Sequence, residues 1–449
     1  TEVAQLINRT LARRRLDERR DIPLIAETGG QNAMIVDSSA LPEQVVQDVL
    51  ASAFDSAGQR CSALRVLCLQ ADIADRTMTM LKGAMHELRI GNPDRLAIDI
   101  GPVIDEDAQR SLLAHIERMK RQAKDFFQLP LPAECDYGCF VPPTVMEIAS
   151  IAELQREVFG PVLHVVRYKR DELPQLIDTI NATGYGLTLG VHSRIDETID
   201  FIVGRAHVGN IYVNRNIVGA VVGVQPFGGE GKSGTGPKAG GPLYLKRLQQ
   251  HASVERWAHT IHTHRQSTAR PAFQALLAWA GLHGHEQIAA LAEAYARHSL
   301  LNTSLVLPGP TGERNTLSFA PRGKVLCAAS NVSTLLNQLA AVFSTGNTAV
   351  IAAPQVNLLP SGIPLEVRDA VSIIAPERLD HQPLALALLD DLQMPHYGPL
   401  LAAREGALVP IVDTAQSDAI PLWRLVAERA VCVNTTAAGG NASLMTLGS

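Results

Sequence analysis

The chain has 449 residues, more than one ordinary domain holds, so we expect two or three domains. Hydrophobic residues make up 46% of the chain and charged residues 19%, which suits a large buried core. The net charge of −5 gives no indication of a nucleic-acid partner for this segment. No apolar run reaches the roughly 18 residues that a membrane-spanning helix requires, so we expect no membrane segment.

The cysteine content indicates a reducing compartment. The 6 cysteines are spread too thinly to form a disulfide framework, and the chain does not open with a signal peptide. Both observations favour a cytoplasmic protein. Cys135 and Cys139 are spaced like a weak metal pair, but neither a second pair nor a nearby histidine completes a site. We therefore interpret them as ordinary loop thiols and expect no metal.

The first residues have the pattern of the middle of a helix. The chain begins at Thr1 without a methionine, and Val3, Leu6, Ile7 and Leu11 follow helical spacing. We therefore expect that the chain is one piece of a longer polypeptide.

The next elements bring a cysteine to a turn. Residues 24–26 and 33–36 are short apolar runs that predict strands, and an amphipathic helix follows over 42–54. Gly58 is placed to end that helix, and the apolar run after it predicts another strand. Cys61 thus lies at a turn from helix to strand, where its side chain can face a cleft.

Helix and strand patterns continue to alternate after this turn. Asp105 is placed to cap a helix whose apolar residues, Leu112, Leu113, Ile116 and Met119, follow helical spacing. The following segments predict strands over 162–168, 186–192 and 210–213, and helices over 171–180 and 195–203. Such alternation is typical of an α/β fold with a largely parallel sheet.

The second half of the chain begins with a change of pattern. A glycine-rich stretch over 226–242 interrupts the alternation. Residues 257–298 are rich in alanine and histidine and predict helices. A second α/β-like region runs from about Asn315 to the end.

Three short clusters carry groups suited to chemistry: residues 27–32 (ETGGQN), 58–62 (GQRCS) and 157–161 (EVFGP). Taken singly, each is weak. A glutamate before two glycines is most often a solvated loop carboxylate, a lone cysteine is most often a small buried hydrophobe, and the third cluster is compatible with a plain turn. Their joint order and spacing are far more specific.

The three clusters resemble, in order and spacing, the signature segments of the aldehyde dehydrogenase superfamily. The runs 226–229 (PFGG) and 232–234 (KSG), and Asn214 at the end of a predicted strand, fit the same pattern. The resemblance covers roughly residues 1–250. It implies an α/β fold with an aldehyde dehydrogenase-like catalytic domain, preceded by a remnant of the Rossmann-like NAD-binding domain.

The residue types at these positions suit the oxidation of an aldehyde. Cys61 is the candidate nucleophile, because a thiolate attacks the aldehyde carbon. Hydrolysis of the resulting thioester requires a base that takes a proton from water. Glu27 can do this if partial burial raises its pKa toward neutrality. The backbone N–H of Cys61 can donate to the developing oxyanion.

The resemblance also implies NAD as the cofactor. Glu157 would hydrogen-bond the nicotinamide ribose, and Phe159 would pack behind the nicotinamide. We assign Thr28 and Gly29 to the same site, because glycine lets the backbone approach a cleft closely. The alternative is that Phe159 is a core aromatic residue and Glu157 a charge at the end of a helix.

Residues near the nucleophile and in the glycine-rich loop narrow the substrate. Ser62, Ser233 and Gly234 resemble the branch that oxidises L-glutamate γ-semialdehyde, which forms by hydrolysis of 1-pyrroline-5-carboxylate. In that branch, hydroxyls and a loop N–H hold the α-carboxylate of the substrate. We expect these three residues and Arg60 to bind the substrate. The alternative is that residues 228–241 are only a flexible loop.

Over its whole length the chain resembles the carboxy-terminal part of the bifunctional proline utilisation proteins. Members of that group carry a proline dehydrogenase upstream, so FAD is expected only in that other domain. Residues 428–434 and 439–445 resemble the terminus of its longer members. By the same resemblance we expect a homo-oligomer, and the parent protein is a candidate for peripheral association with the inner membrane.

The last part of the chain resembles a degenerate copy of an aldehyde dehydrogenase nucleotide domain. Residues 321–327 match its opening strand, and 338–348 match the helix and turn that follow. After Pro354, however, Gln355 and Val356 replace the lysine and glutamate that hold ribose. We therefore expect no cofactor here, and a structural role in covering a cavity or joining subunits. The alternative is a separate small α/β domain with its own ligand.

These patterns predict five segments. They are a remnant of the NAD-binding domain (1–26), a catalytic domain (27–225), a substrate-anchor loop with a return segment (226–256), a helical linker (257–310) and the degenerate domain (311–449). The family's oxyanion-hole asparagine, ribose-binding lysine and pyrophosphate loop have no match in the chain. We therefore expect the chain by itself to bind NAD poorly and to turn over little substrate.

Other functions stay open at this point. One is a dehydrogenase for another small aldehyde, and a second is a non-catalytic assembly module with a vestigial cysteine. A third is a cysteine hydrolase, for which only His86 and His115 lie near Cys61 in sequence.

Overall fold

The computed structural model describes residues 2–18, 22–249, 271–415 and 419–436. The helices are α1 (Glu2–Glu18), α2 (Pro42–Phe54), α3 (Ala71–Met85), α4 (Glu106–Lys120), α5 (Leu173–Ala182), α6 (Asp196–Arg205), α7 (Tyr244–Leu248), α8 (Pro271–Leu282), α9 (Glu286–His298), α10 (Val332–Ser344), α11 (Leu365–Asp369) and α12 (Met394–Ala403). The strands are β1 (Ala33–Val36), β2 (Val66–Gln70), β3 (Asp125–Gln128), β4 (Thr144–Glu147), β5 (Val162–Tyr168), β6 (Tyr185–Gly186), β7 (Thr188–His192), β8 (Asn210–Val213), β9 (Glu230–Gly231), β10 (Ser304–Leu307), β11 (Glu313–Pro321), β12 (Lys324–Ala328), β13 (Thr348–Ala352), β14 (Val371–Ile374), β15 (Leu384–Leu389), β16 (Ile411–Asp413) and β17 (Val426–Asn434).

The chain divides into two compact units. Unit 1 comprises Thr1–Glu27, Gly234–Val306 and Thr316–Arg429. Unit 2 comprises Thr28–Ser233, Leu307–Asn315 and Ala430–Ser449. The limits of unit 2 lie close to those of the predicted catalytic domain, but its last segment comes from the region predicted as a separate degenerate domain. The five predicted segments stay a prediction.

Unit 2 is built on a mostly parallel sheet. The ten strands of this sheet are ordered β10-β11-β17-β8-β7-β1-β2-β5-β4-β3. From β17 to β3 all neighbouring strands are parallel except β3 and β4, which are antiparallel. The central strands β1 and β2 are buried along their whole length. Strands buried on both faces appear in the sequence as continuous apolar runs, as Ala33–Val36 does. The prediction of a largely parallel sheet is confirmed.

Two helices of unit 2, α2 and α4, begin where their sequences predict. Pro42 lies in the first turn of α2, where a missing N–H costs nothing, and Val45, Val46 and Val49 bury one face. Asp105 caps α4 by accepting a hydrogen bond from the backbone N–H of Ala108 at 2.8 Å. Both predicted helices are confirmed.

Unit 1 contains a second, five-stranded sheet. Its strands are ordered β14-β13-β12-β15-β16, and all of them run parallel. Numbered along the chain from β12, this is the order 3-2-1-4-5 of a doubly wound α/β domain. The predicted second α/β region is confirmed.

The two faces of this second sheet are covered by different helices. Alternate residues of a strand point to opposite faces, so Val325 and Cys327 join a cluster with α8, α9 and α10. Leu326 and Ala328 join another cluster that includes Leu401 of α12. Apolar side chains on both faces explain why these strands are continuous apolar runs in the sequence.

Two predictions need correction or fall outside the description. Residues 24–26 form no strand, and the next residue, Glu27, makes an isolated bridge to Gly234. The run is too short to pair along its length, and it continues into glycines. Residues 257–270 of the predicted helical stretch, and residues 439–445, lie outside the described residues.

Among the described helices, none combines the length and the apolar character that crossing a bilayer requires.

Candidate active site

Cys61 lies on a tight turn at the carboxyl side of α2. The 3-10 helix Asp55–Gly58 follows α2, and Ser56, Ala57 and Gly58 all have positive φ angles. A positive φ is costly for residues other than glycine, so strain is concentrated directly before the nucleophile turn. The backbone N–H of Ala63 then donates to the carbonyl of Arg60 at 3.0 Å, which closes the turn around Cys61. The Cys61 residue is exposed, as a nucleophile must be.

The side-chain amide of Asn32 anchors the Cys61 turn. Its Nδ2 donates to the carbonyl oxygens of Cys61 at 2.7 Å and Ala63 at 2.8 Å. Its Oδ1 accepts from the backbone N–H of Thr188 at 3.1 Å, which joins the turn to β7. Because Asn32 is buried and uses both ends of its amide, the Cys61 backbone has little freedom to move.

Arg65 supports the same turn with its side chain, which is fully buried. Its NH1 donates to the carbonyl of Gly58 at 2.6 Å, and its NH2 donates to the carbonyl of Arg60 at 3.0 Å. Burial lowers the pKa of the guanidinium, while Glu157 and Cys61 act in the opposite direction. In the sequence, Asn32 lies in the first cluster without a predicted role, and Arg65, which lies within an apolar run, is not singled out.

Glu157 and Phe159, the candidate cofactor contacts, both touch Arg65. A carboxylate oxygen of Glu157 lies 3.3 Å from the Arg65 guanidinium, and Glu157 also accepts a backbone hydrogen bond from Gly30. The Phe159 ring centroid lies 5.1 Å from the Arg65 Cζ, and 44% of the residue is exposed. Phe159 is therefore not a core aromatic residue, and its exposed ring can meet a planar ligand.

Gly29 lies directly against the Glu157 carboxylate. A Cβ at Gly29 would lie 1.8 Å from a carboxylate oxygen of Glu157, so any other residue would displace the carboxylate. Burial raises the pKa of Glu157, and Arg65 opposes that effect. A carboxylate held over glycine backbone fits the recognition of a ribose hydroxyl, which donates to it. Thr28, which precedes Gly29, donates its hydroxyl hydrogen to the carbonyl of Lys232 at 2.5 Å.

Glu27, the candidate base, lies in unit 1 at the bridge to Gly234. The residue is exposed, yet protein atoms crowd its carboxyl group. This loss of hydration raises the pKa of Glu27 from an ordinary 4.5 to about 7. The charge of Lys238 lowers this pKa, and the charge of Glu428 raises it. A carboxyl group with a pKa near neutrality is suited to accept a proton from water.

Lys238 and Glu428 form a buried pair of residues beside Glu27. The backbone N–H of Lys238 donates to a carboxylate oxygen of Glu428 at 2.7 Å. The other carboxylate oxygen of Glu428 has no hydrogen-bond partner within the described part of the chain. Sequence reasoning missed both residues, since Glu428 is remote along the chain from Glu27 and neither lies in a cluster with it.

The predicted substrate-binding residues differ in accessibility. Ser62 and Ser233 are buried, with 6% and 0% of each residue exposed. The Ser233 hydroxyl accepts from the backbone N–H of Gly186 at 3.1 Å, and its carbonyl accepts from Thr28 at 3.2 Å. Ser233 thus holds two loops together, and the carbonyl of Ser62 accepts from the Thr188 hydroxyl at 3.3 Å. Arg60, in contrast, is exposed directly before Cys61.

Gly234 and Asn214 have positions that their motifs explain. Gly234 pairs with Glu27 and so fixes the backbone of the candidate base. Asn214 has a positive φ of 54° at the end of β8, and its amide makes two hydrogen bonds with the backbone of Ser193. Asparagine tolerates this conformation better than most residues, which explains its place at the turn.

The histidines near Cys61 in sequence serve other contacts. His115 Nε2 lies 2.9 Å from His164 Nε2, and its Nδ1 lies 3.0 Å from an Arg118 nitrogen. His86 packs edge-on against Phe127. Within the described residues, this arrangement gives no support to a Cys–His hydrolase.

The strand order of the C-terminal sheet reverses between β12 and β15. Doubly wound domains bind nucleotides at this place. Here a carboxylate oxygen of Asp390 accepts from the backbone N–H of Ser330 at 2.6 Å and from its hydroxyl at 2.7 Å. The turn over 328–334 contains no glycine. The Asp390 carboxylate thus accepts from the backbone N–H of Ser330, just before α10, where a phosphate would bind in a nucleotide site.

A model of the aldehyde dehydrogenase family matches residues 1–254, which is more than half of this chain of 449 residues. The chain therefore belongs to the aldehyde dehydrogenase family. The resemblance found in the three sequence clusters is confirmed, and so is the fold class.

Among curated relatives, the bifunctional protein PutA of Escherichia coli (strain K12) is 51% identical over 468 residues, covering 100% of this chain and 35% of that protein. The 1-pyrroline-5-carboxylate dehydrogenase of Geobacillus kaustophilus is 38% identical over 226 residues, covering 49% of this chain and 43% of that enzyme. The chain thus spans 35% of the length of the bifunctional relative.

Solved structures show the same relationship. A proline utilization A (PutA) variant from Bradyrhizobium japonicum is 58% identical, with a TM-score of 0.52 over 55% of this chain and 25% of that chain. PutA from Corynebacterium freiburgense has a TM-score of 0.71 over 96% of this chain and 41% of its own. Its identity of 24% means that this second likeness shows the fold alone.

Proposed function

We propose that the chain carries the catalytic part of an NAD-dependent dehydrogenase that oxidises L-glutamate γ-semialdehyde to L-glutamate, the second step of proline catabolism. The observation that carries this proposal is an exposed cysteine on a turn held rigidly by Asn32 and Arg65, within the aldehyde dehydrogenase match. The names of the relatives support the choice of substrate, since they include a 1-pyrroline-5-carboxylate dehydrogenase.

The proposed reaction uses two residues of the chain. The Cys61 thiolate adds to the aldehyde carbon, and the Cys61 backbone N–H donates to the oxyanion that forms. Loss of hydride leaves a thioester on Sγ. Glu27 then takes a proton from water, the resulting hydroxide attacks the thioester carbon, and the acid departs as the thiolate is restored. Convergence of Cys61 and Glu27 is a prediction from the order of the motifs.

A nicotinamide cofactor, when bound, supplies the hydride acceptor. The described residues fit it, because the Glu157 carboxylate can accept from ribose hydroxyls and the exposed Phe159 ring offers a flat surface. Gly29 leaves the space that this carboxylate needs. We assign Glu157, Phe159, Thr28 and Gly29 to cofactor binding and, from the resemblance, propose NAD as the cofactor.

For the substrate carboxylate we propose Arg60 as the contact, because it is exposed beside Cys61 and carries the opposite charge. Ser62, Ser233 and Gly234 stay part of the proposed substrate site, from their positions after the nucleophile and in the glycine-rich loop; both serines are buried in this structure. In the second sheet, of unit 1, Asp390 accepts a hydrogen bond from the backbone N–H of Ser330, a group that a nucleotide phosphate would otherwise bind. This favours a degenerate copy without cofactor. A homo-oligomer and an upstream proline dehydrogenase are part of the same proposal.

The decisive experiment is an NADH assay on the natural full-length protein with two single substitutions. Cys61→Ser should abolish even the first turnover, and Glu27→Gln should permit a burst of NADH and then stall as the thioester accumulates. Full activity of Cys61→Ser would refute the proposal. A vestigial cysteine would be indicated if Cys61 in the unmodified protein is alkylated no faster than the buried Cys68.

A comparison of substrates distinguishes a glutamate semialdehyde dehydrogenase from a dehydrogenase for another small aldehyde. Glutamate semialdehyde should be preferred over an aldehyde of similar length without the α-carboxylate, because Arg60 offers a charge to that group. Arg60→Met should reduce kcat/KM for the first substrate and leave the second nearly unchanged. Equal rates for both aldehydes in the unmodified protein would favour a general aldehyde dehydrogenase.

A further inference from the structure

Arg65 is a costly residue in the core of unit 2. Its side chain is 0% exposed, and its Nε has no hydrogen-bond partner in the described residues. Removing a guanidinium from water is energetically unfavourable, and a buried ion pair is often no more stable than an apolar replacement. Stability alone therefore does not explain a charge at this position, and the groups that the guanidinium holds offer a better reason.

The guanidinium joins two separate turns. NH1 donates to the carbonyl of Gly58, before the nucleophile, and to that of Gly160, in the segment with Glu157 and Phe159, at 2.6 and 3.3 Å. NH2 donates to the carbonyl of Arg60 and to the Glu157 carboxylate at 3.0 and 3.3 Å. Each nitrogen thus contacts both turns.

The backbone of Arg65 is fixed as firmly as its side chain. Its carbonyl accepts from the backbone N–H of His164 at 3.0 Å and lies 3.1 Å from His164 Nδ1. A carbonyl can only accept, so Nδ1 of His164 carries the proton and its Nε2 accepts from His115. His115 Nδ1 then accepts from Arg118. One set of tautomers satisfies the whole chain of contacts from Arg118 to Arg65.

This histidine pair stays neutral at physiological pH. Burial lowers the pKa of His164 to about 3 and that of His115 to about 4. The support beneath Arg65 therefore does not titrate between pH 5 and 9. The charged groups that face the Arg65 side chain are Glu157 and the Cys61 thiolate.

We propose that Arg65 is a positioning residue of the active site, whose guanidinium fixes the Cys61 turn and the Glu157 carboxylate in one geometry and favours the thiolate. The inference rests on the proposed function, since it assigns Cys61 and Glu157 their roles. It adds that the nucleophile and the candidate ribose contact are coupled through one buried cation. Substitution at either end should therefore alter the other.

The test uses the natural full-length protein with Arg65→Gln, Arg65→Lys and Glu157→Gln. The first readout is the rate of Cys61 alkylation by iodoacetamide between pH 6 and 9, measured by mass spectrometry of the Cys61 peptide. The second is kcat and KM for NAD. Alkylation needs no turnover, so it reports on Arg65 even if the proposed function fails.

Arg65→Gln should slow alkylation at pH 7 about tenfold, as expected for a shift of one pH unit in the profile, and should raise KM for NAD. Arg65→Lys keeps the charge but loses the fork of donors, so its alkylation profile should stay close to that of the unmodified protein while KM rises. Arg167→Lys is the matched control. It alters another Arg–Glu pair of the same sheet, with Glu147, and should change neither readout.

An Arg65→Gln protein with an unchanged alkylation profile and an unchanged KM would overturn the proposal. If Arg65→Gln does not fold, Arg65→Lys and Glu157→Gln still decide the question through a double-mutant cycle. Coupling predicts that the effect of the double variant on KM is smaller than the product of the two single effects. Strictly multiplicative effects would contradict a shared role.

Discussion

At the scale of single residues, the candidate site depends on how the protein shifts the pKa of the Glu27 carboxyl group. Glu27 is an acid whose pKa is raised to about 7 by the loss of hydration around its carboxyl group. It is therefore fully ionised only above that pH. Cys61 is placed differently, on an exposed turn that backbone hydrogen bonds hold. Both residues are exposed, and it is the reduced hydration of the Glu27 carboxyl group that sets its proton affinity.

The raised pKa of Glu27 predicts a specific pH dependence. Hydrolysis of the thioester needs ionised Glu27, so kcat should fall as the pH decreases through about 7, by a factor of ten for each further unit. This fall of kcat below pH 7 is the acid limb of the pH profile. Glu27→Gln should remove the acid limb and leave a slow hydrolysis rate that does not depend on pH. Stopped-flow measurement of the NADH burst and steady state between pH 5.5 and 9 checks both points. A limb that persists in Glu27→Gln would assign the titration to another group.

Two neighbours of Glu27 should move this limb in opposite directions. The charge of Lys238 lowers the pKa of Glu27, so Lys238→Met should shift the limb to higher pH. The charge of Glu428 raises that pKa, so Glu428→Gln should shift the limb to lower pH. The pH profile of kcat measures both shifts, and circular dichroism verifies folding. Two shifts in the same direction would show that packing, rather than charge, controls the base.

These neighbours also show what the sequence could not reveal about the site. Cys61, Glu27 and Glu157 lie in recognisable clusters, so their types and spacing identified them as candidates. Arg65, Lys238 and Glu428 act through burial and proximity, which no local pattern encodes. The buried state of Ser62 and Ser233 is equally invisible in sequence, because a hydroxyl beside a motif fits a ligand contact and a loop contact equally well.

At the scale of elements, the structure follows the sequence wherever burial is periodic or complete. The strands Ala33–Val36, Val162–Tyr168 and Asn210–Val213 have the predicted limits, because apolar runs bounded by polar residues or glycine leave little choice. The run 24–26 failed as a strand because pairing depends on a partner, which a sequence window does not contain. The backbone of Ala26 makes two hydrogen bonds with Thr235 instead.

Alanine substitution of two glycines, one before Cys61 and one on α3, tests whether the backbone is strained before the nucleophile. Gly58 has a φ of 64°, and a Cβ there would lie 2.2 Å from the carbonyl oxygen of Gly160. Gly58→Ala should therefore destabilise the protein by more than the roughly 1–3 kcal/mol of a strained φ alone. Gly83 is exposed on α3, and a Cβ added to it would meet none of the described residues within 4 Å. Gly83→Ala should stabilise the helix by about 0.5–1 kcal/mol.

Chemical denaturation of both alanine variants measures these effects as free energies of unfolding. Gly58→Ala should also lower activity in greater proportion than Gly83→Ala, because it distorts the turn that carries Cys61. Equal stability of the two variants would mean that the turn before Cys61 can relax without cost, contrary to the contacts that surround it.

At the scale of the whole molecule, the alternation of elements indicated an α/β fold but not the assignment of strands to sheets. The second sheet could be expected from its apolar runs, and its order 3-2-1-4-5 follows a common pattern. The place of β17 could not be expected. It pairs in parallel with β8, so residues from the end of the chain complete the sheet that carries Cys61. Such pairing joins segments that no local pattern relates.

Removal of this last strand should therefore damage unit 2. In a chain ending after Arg429, residues 430–433 no longer pair with Asn210–Val213, and β8 becomes an unprotected edge. Asn434 also no longer donates to the carbonyl of Asn214 at 3.0 Å. We expect faster hydrogen exchange in β8, association between molecules and loss of activity. An Asn434→Ala variant keeps the strand, so it should show only a small loss of stability.

Hydrogen exchange with peptide resolution separates these outcomes from general unfolding. Peptides that cover β4, on the other side of the same sheet, should keep their protection in the shortened chain, because β4 is paired by β3 and β5. Size-exclusion chromatography reports association through the exposed edge. If β8 in the shortened chain exchanges as slowly as in the intact one, the pairing with β17 adds nothing to the sheet, and the C-terminal segment must be retained for another reason.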